Sequence, residues 1–116
     1  MSLTIWHNPR CSKSRQTLEL LRSRGIEPTI REYLKEPPSR AEVEALIEMV
    51  GGEPTALIRD GEPEFKKLGM KRAEFGKADV AKAIAAEPIL LQRPVVVSGK
   101  RAIIGRPPEA VLTLVK

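Results

Sequence analysis

The chain contains one cysteine, Cys11, set in the segment His7-Asn8-Pro9-Arg10-Cys11-Ser12-Lys13-Ser14-Arg15. An ordinary thiol titrates near 8.5, so only about 3% of it is the nucleophilic thiolate at pH 7. A working nucleophile therefore needs its anion stabilised, and each unit of pKa lowering corresponds to about 1.4 kcal/mol. A helix N-terminus supplies unpaired N–H groups and partial positive charge, and Arg10, Lys13 and Arg15 add cations around Cys11. Ser12 or Ser14 is placed to cap that helix or to donate to the sulfur. Most free cysteines are small buried apolar residues. The polar, basic neighbours and the preceding Asn8-Pro9 turn argue instead for a reactive Cys11.

Ser14 occupies the partner position of a Cys-x-x-Cys pair, so a dithiol cycle within the chain is excluded and redox turnover must borrow an external thiol. His7 either tunes the thiol by sharing a proton or ends a strand and bonds the backbone. One Cys and one His fall short of a four-ligand zinc site, and no metal is expected. Among the many arginines, Arg59, Arg93 and Arg106 each stand at the boundary of an apolar element. There a rigid backbone can aim a planar guanidinium fork at a tetrahedral oxyanion.

The elements that must position these groups read as follows. Leu3-Thr4-Ile5-Trp6 is a short apolar strand that ends at Asn8-Pro9 and delivers Cys11 to a loop. From about Ser14 the spacing of Leu18 and Leu21 predicts a helix that closes at Arg24-Gly25. Thr29 to Leu34 alternates and predicts a second strand, hence a βαβ unit with a parallel pair. Ser39-Arg40-Ala41-Glu42 has the form of a capping box, opening a helix through Val43, Leu46, Ile47 and Val50 that ends at Gly51-Gly52. Residues 54–87 carry no strand signal and read as short helices around Ala56-Leu57-Ile58, Phe65 with Leu68, and Val80 to Ile84. Pro94 to Ile104 reads as a hairpin turning at Gly99-Lys100, and Pro107-Pro108-Glu109 starts a last helix. The order predicts an α/β thioredoxin-like fold with a helical insertion between the βαβ unit and the C-terminal β-hairpin plus helix. In that fold the working cysteine sits where the first strand meets the first helix, and a proline before the third strand, here Pro94, faces it.

With 116 residues, 41% of them hydrophobic and 30% charged, the chain fits one domain, 1–116. Aromatics are few, Trp6, Tyr33, Phe65 and Phe75, so the core must be mostly aliphatic. The formal charge of +5 makes anionic substrates plausible. Scattered basic residues and the lack of a recognition helix argue against nucleic acid. The first residues lack the charged start and apolar core of a secretory signal, and no apolar run approaches the roughly 20 residues that cross a bilayer. The expectation is a cytoplasmic protein without a membrane partner.

His7-Asn8-Pro9 with Cys11 and Ser14-Arg15, Tyr33-Leu34 with Pro37-Pro38-Ser39-Arg40, Leu57-Ile58-Arg59, Arg93-Pro94-Val95-Val96-Val97 and Arg106-Pro107 follow one another at intervals that resemble the glutaredoxin-coupled arsenate reductase family. The resemblance runs from Ile5 to about Leu114. It implies a catalytic Cys11, an oxyanion-binding triad of Arg59, Arg93 and Arg106, a cis Pro94, and a His7 that influences the thiol. It also implies no bound cofactor, glutathione as co-substrate and glutaredoxin as partner. In the implied reaction Cys11 attacks arsenic(V), glutathione displaces oxygen on the adduct, glutaredoxin removes the glutathione, and arsenite leaves. Ser12-Lys13 follows the cysteine where the resistance reductases tend to have Gly-Thr, and the chain stops at Lys116. Both features resemble a shorter subgroup of the family. The competing readings are a monothiol redox protein acting on another oxyanion or on protein thiols, and a Spx-type regulator that binds RNA polymerase. Regulators of that type more often carry the second cysteine that Ser14 replaces here.

Overall fold

The computed structural model describes residues 2–115. The chain divides into two compact units, one made of Met1–Glu36 with Arg93–Lys116 and the other of Pro37–Gln92.

The first unit is built on a four-stranded sheet of order β2-β1-β3-β4, from β1 (Leu3–Trp6), β2 (Thr29–Arg31), β3 (Val95–Ser98) and β4 (Arg101–Ile104). β1 pairs parallel with β2, Ile5 opposite Ile30, and antiparallel with β3, Ile5 opposite Val96. The parallel pair requires a crossover, which is α1 (Ser12–Ser23). Gly25, at φ +78°, turns the chain out of that helix in a conformation L residues rarely adopt. β3 and β4 form the expected hairpin, and Gly99 at φ +61° makes its turn. Leu18 and Leu21 of α1 bury against Leu3, Ile5 and Val96 of the sheet and against Val111 and Leu114 of the C-terminal segment. At about 25 cal/mol per Å² of apolar surface, this aliphatic cluster is what holds α1 to the sheet.

Two boundaries and one helix type differ from the expectation. α1 begins at Ser12 rather than Ser14, with Cys11 itself as the N-cap residue. β2 ends at Arg31, because the Glu32 carbonyl accepts the N–H groups of both Lys35 and Glu36 at 2.9 Å and winds Tyr33 and Leu34 into a turn. The last helix, Pro108–Leu114, is a 3-10 helix.

The second unit is the helical insert: α2 (Arg40–Val50), α3 (Pro63–Lys66) and α4 (Lys77–Ala86), with 3-10 turns at Pro54–Leu57, Arg72–Glu74 and Pro88–Leu90. Ser39 opens α2 with the capping box expected of it: its hydroxyl accepts from Glu42 N–H at 3.1 Å, and Glu42 Oε1 accepts from Ser39 N–H at 2.9 Å. α2 packs on α4, and Val43, Leu46, Val80 and Ile84 are fully buried. No helix among the described residues is long and apolar enough to cross a membrane.

Candidate active site

β1 runs out at Trp6, and the next residues form a tightly bonded loop. Asn8, 4% exposed, organises it through three groups. Its carbonyl accepts Cys11 N–H at 3.0 Å, its Oδ1 accepts Arg10 N–H at 3.0 Å, and its own N–H donates to Ser14 Oγ at 3.1 Å. Arg15 ties the other side, donating from Nη1 to the Pro9 carbonyl at 2.8 Å. With φ −95° and ψ 123°, Cys11 has the extended backbone of an N-cap, and its carbonyl accepts from Arg15 N–H at 3.0 Å, opening α1.

The Cys11 thiol is partly buried. Burial pushes its pKa up, but the Ser14 amide, the Arg93 guanidinium by hydrogen bond and by charge, and the Lys13 amide together bring it below the ordinary value. Arg106 Nη2 lies 3.7 Å from Cys11 Sγ, and Arg106 Nε donates to the Arg93 carbonyl at 2.8 Å. The sulfur therefore meets a helix N-terminus and two arginine forks.

Pro94, buried and in a cis peptide with Arg93, is joined to the end of the hairpin by Gly105 N–H donating to its carbonyl at 2.8 Å. Gly105 fits because nothing larger would: a Cβ there would stand 2.8 Å from Thr17 Oγ1 and 2.9 Å from Pro94 Cγ. The following bond, Arg106–Pro107, is also cis. The first unit thus holds Cys11, Arg93, Pro94 and Arg106, drawn from the N-cap of α1 and from both ends of the hairpin.

His7 ends β1 and bonds the backbone, one of the two parts open to it, whereas the Ser14 hydroxyl takes a different part from the one expected of it. Ser14 is fully buried, and its hydroxyl meets His7 Nδ1 at 2.6 Å rather than capping the helix or reaching the sulfur; it is the Ser14 amide that acts on Cys11. His7 is 6% exposed, and its N–H donates to the Arg31 carbonyl at 2.8 Å. Burial lowers its pKa below 6.5; Glu32 opposes this, and Arg22 and Arg15 add to it. The imidazole bonded to Ser14 ties the end of β1 to the first turn of α1.

Arg59 belongs to the insert. Its Nε lies 3.3 Å from Glu62 Oε2, its Nη1 donates to Gln92 Oε1 at 3.1 Å, and its backbone N–H donates to Leu90 O at 2.8 Å beside the Ile58–Leu91 bridge. The guanidinium is thus held on two sides by Glu62 and Gln92, both of the insert. By contrast, Arg22 is an exposed residue paired with Glu27.

Asn8, Thr17 and Gly105 were not singled out as site residues from the sequence. Asn8 had a signal, since Asn before Pro favours a loop whose side chain bonds its own backbone. The need for glycine at 105 arises from α1 and the Pro94 loop meeting in space, which no local pattern displays.

A thioredoxin-like fold bearing a single thiolate-forming cysteine at the start of α1, with arginines against the sulfur, defines a monothiol oxidoreductase-type protein rather than a dithiol one. The family model of the ArsC family matches residues 6–114. An arsenate reductase of Rhizobium meliloti is 43% identical over 98% of this chain and 81% of its own length. One of Haemophilus influenzae is 39% identical over 98% of this chain and 99% of its own. The solved arsenate reductase from Vibrio cholerae superposes with a TM-score of 0.91 at 40% identity, covering 97% of each chain. The chain belongs to the ArsC family.

Proposed function

We propose that the protein reduces arsenate to arsenite, with Cys11 as nucleophile and glutathione and glutaredoxin as reductants. The observation that carries the reading is the pairing of a thiol of lowered pKa with the Arg106 guanidinium 3.7 Å from its sulfur, in a family whose relatives are named arsenate reductases.

Arg93 and Arg106 bind the arsenate oxygens. The Cys11 thiolate attacks arsenic(V), an As–S bond forms, and a protonated oxygen leaves as water. Glutathione replaces a second oxygen, again releasing water. A glutaredoxin thiolate then attacks the glutathione sulfur. The new S–S bond forms as the As–S bond to glutathione breaks, and that bond's electron pair stays on arsenic, which becomes arsenic(III). Water displaces Cys11 and releases arsenite and the free thiol. Two thiols are oxidised to one disulfide for each arsenic reduced, so a chain with one cysteine suffices. Chemistry of this kind belongs in a reducing compartment, in keeping with the cytoplasm expected from the sequence.

Purified protein given arsenate, glutathione and glutaredoxin should produce arsenite, and Cys11→Ser should produce none. If the unmodified protein shows no arsenate-dependent oxidation of glutathione, arsenate is not its substrate. Replacing Arg93 or Arg106 should lower turnover far more than replacing Arg22, and equal losses would remove the arginines from the mechanism.

A further inference from the structure

A cavity of about 200 Å³ opens in the same unit as Cys11, against His7, Pro9, Arg10, Glu32, Leu34 and Lys35. Its charges do not suit an inorganic oxyanion, because Glu32 would repel one. It offers two cations and one carboxylate around an apolar wall of Pro9 and Leu34. Leu34 is 42% exposed, among the most exposed large hydrophobic side chains of the protein, and Tyr33 beside it is fully buried. The turn that carries Glu32, Leu34 and Lys35 is fixed by the two N–H groups bonded to the Glu32 carbonyl. Lys35 Nζ stands 3.5 Å from Glu32 Oε1 with Lys35 77% exposed, a loose surface pair that rearranges readily around a ligand.

We infer that this cavity holds the zwitterionic γ-glutamyl end of glutathione: Glu32 takes its ammonium, Arg10 and Lys35 its carboxylate, and Leu34 with Pro9 its methylenes. The assignment rests on the glutathione-dependent reading above and extends it to a place on the chain. The cavity falls below the roughly 300–1,000 Å³ of sites that enclose a whole small ligand, so it suits an amino-acid-sized end with the remainder lying outside. Arg10 immediately precedes Cys11, with consecutive Cα atoms about 3.8 Å apart. A ligand anchored at Arg10 therefore lies one residue along the chain from Cys11, whose adduct it must attack. These residues position the co-substrate and take no part in bond-making.

Two measurements test this. Titrating isotope-labelled protein with S-methylglutathione, which has no thiol and cannot react, should shift the amides of Arg10, Glu32 and Lys35, and Glu32→Gln with Lys35→Ala should abolish those shifts. Shifts confined to Arg15, Gln16 and Glu19, along the larger groove on α1, or no shifts at all, would overturn the assignment. In turnover, acetylating the glutathione amine should raise its KM about tenfold with the unmodified protein and leave it unchanged with Glu32→Gln, while the KM for arsenate stays constant in both. An equal penalty in both proteins would also overturn it. The binding measurement needs no arsenate, so shifts at Arg10, Glu32 and Lys35 without arsenate turnover would uphold the cavity and refute only the substrate.

Discussion

At the scale of single residues, Cys11 is a contest between burial, which disfavours its charge, and the Ser14 amide and Arg93, which favour it. Arg93→Ala removes both a hydrogen bond and a charge from the winning side. The pH profile of iodoacetamide alkylation should therefore move to higher pH, and an unmoved profile would leave the amides as sufficient cause. His7 works in the opposite sense. Its folded pKa lies below 6.5, so in the window just under that value the unfolded chain binds more protons than the folded one. Stability is then lost as pH falls through the window, and urea midpoints should decline from neutral to mildly acid pH with a slope that His7→Asn flattens. Ser14→Ala strands the buried Asn8 N–H without its acceptor and should lower stability by about 1–3 kcal/mol at neutral pH, read by the same unfolding assay. Cys11, Arg93 and Arg106 could be named as candidates from sequence because the chemistry restricts which residue types can serve, and the structure brings the three together. The His7–Ser14 bond could only be seen once seven residues of loop and helix were folded, since hydroxyl and imidazole meet by tertiary placement.

At the scale of elements, the parts with strong local signals read correctly from the chain. The Ser39–Glu42 capping box, the apolar run of β1 and the Gly99 turn each specify a conformation by themselves. β2 read too long because Tyr33 and Leu34 keep a strand's composition while Glu32 diverts the backbone hydrogen bonds into a turn. Ser39→Ala should destabilise the protein by about 0.5–2 kcal/mol through the lost cap, with no change in the thiol's alkylation profile. Gly105→Ala is a sharper test of how α1 and the hairpin are joined. The added methyl meets Thr17, whose hydroxyl already donates to the Lys13 carbonyl, and the ring of buried Pro94. Overpacking of this kind costs about 1–3 kcal/mol, and it should also change the alkylation rate of Cys11, because the Pro94 loop carries Arg93. A stable variant with an unchanged rate would show that the loop gives way harmlessly.

At the scale of the whole molecule, the chain's +5 charge was legible from composition, but its use was not, because a sum of charges carries no location. The structure separates the arginines by company: Arg22 is occupied by Glu27 at the surface, while Arg106 stands at the thiol. Arg59 illustrates both limits, since Glu62 lies three residues away and within reach of a sequence argument, whereas Gln92 lies 33 residues away and is not. A net positive field should speed the approach of a multiply charged anion more than it alters the bound state, and salt weakens the field. Between about 0.01 M and 0.15 M ionic strength the screening length shrinks from about 30 Å to about 8 Å. Over that range kcat/KM for arsenate should fall several-fold while kcat changes little, because the guanidinium groups close to the sulfur act at distances well inside either screening length. If kcat fell in parallel, the salt would be acting on the arginines at the site itself. If neither moved, the surplus charge would have no part in capturing the substrate, and the arginines near Cys11 would have to account for anion selection by contact alone.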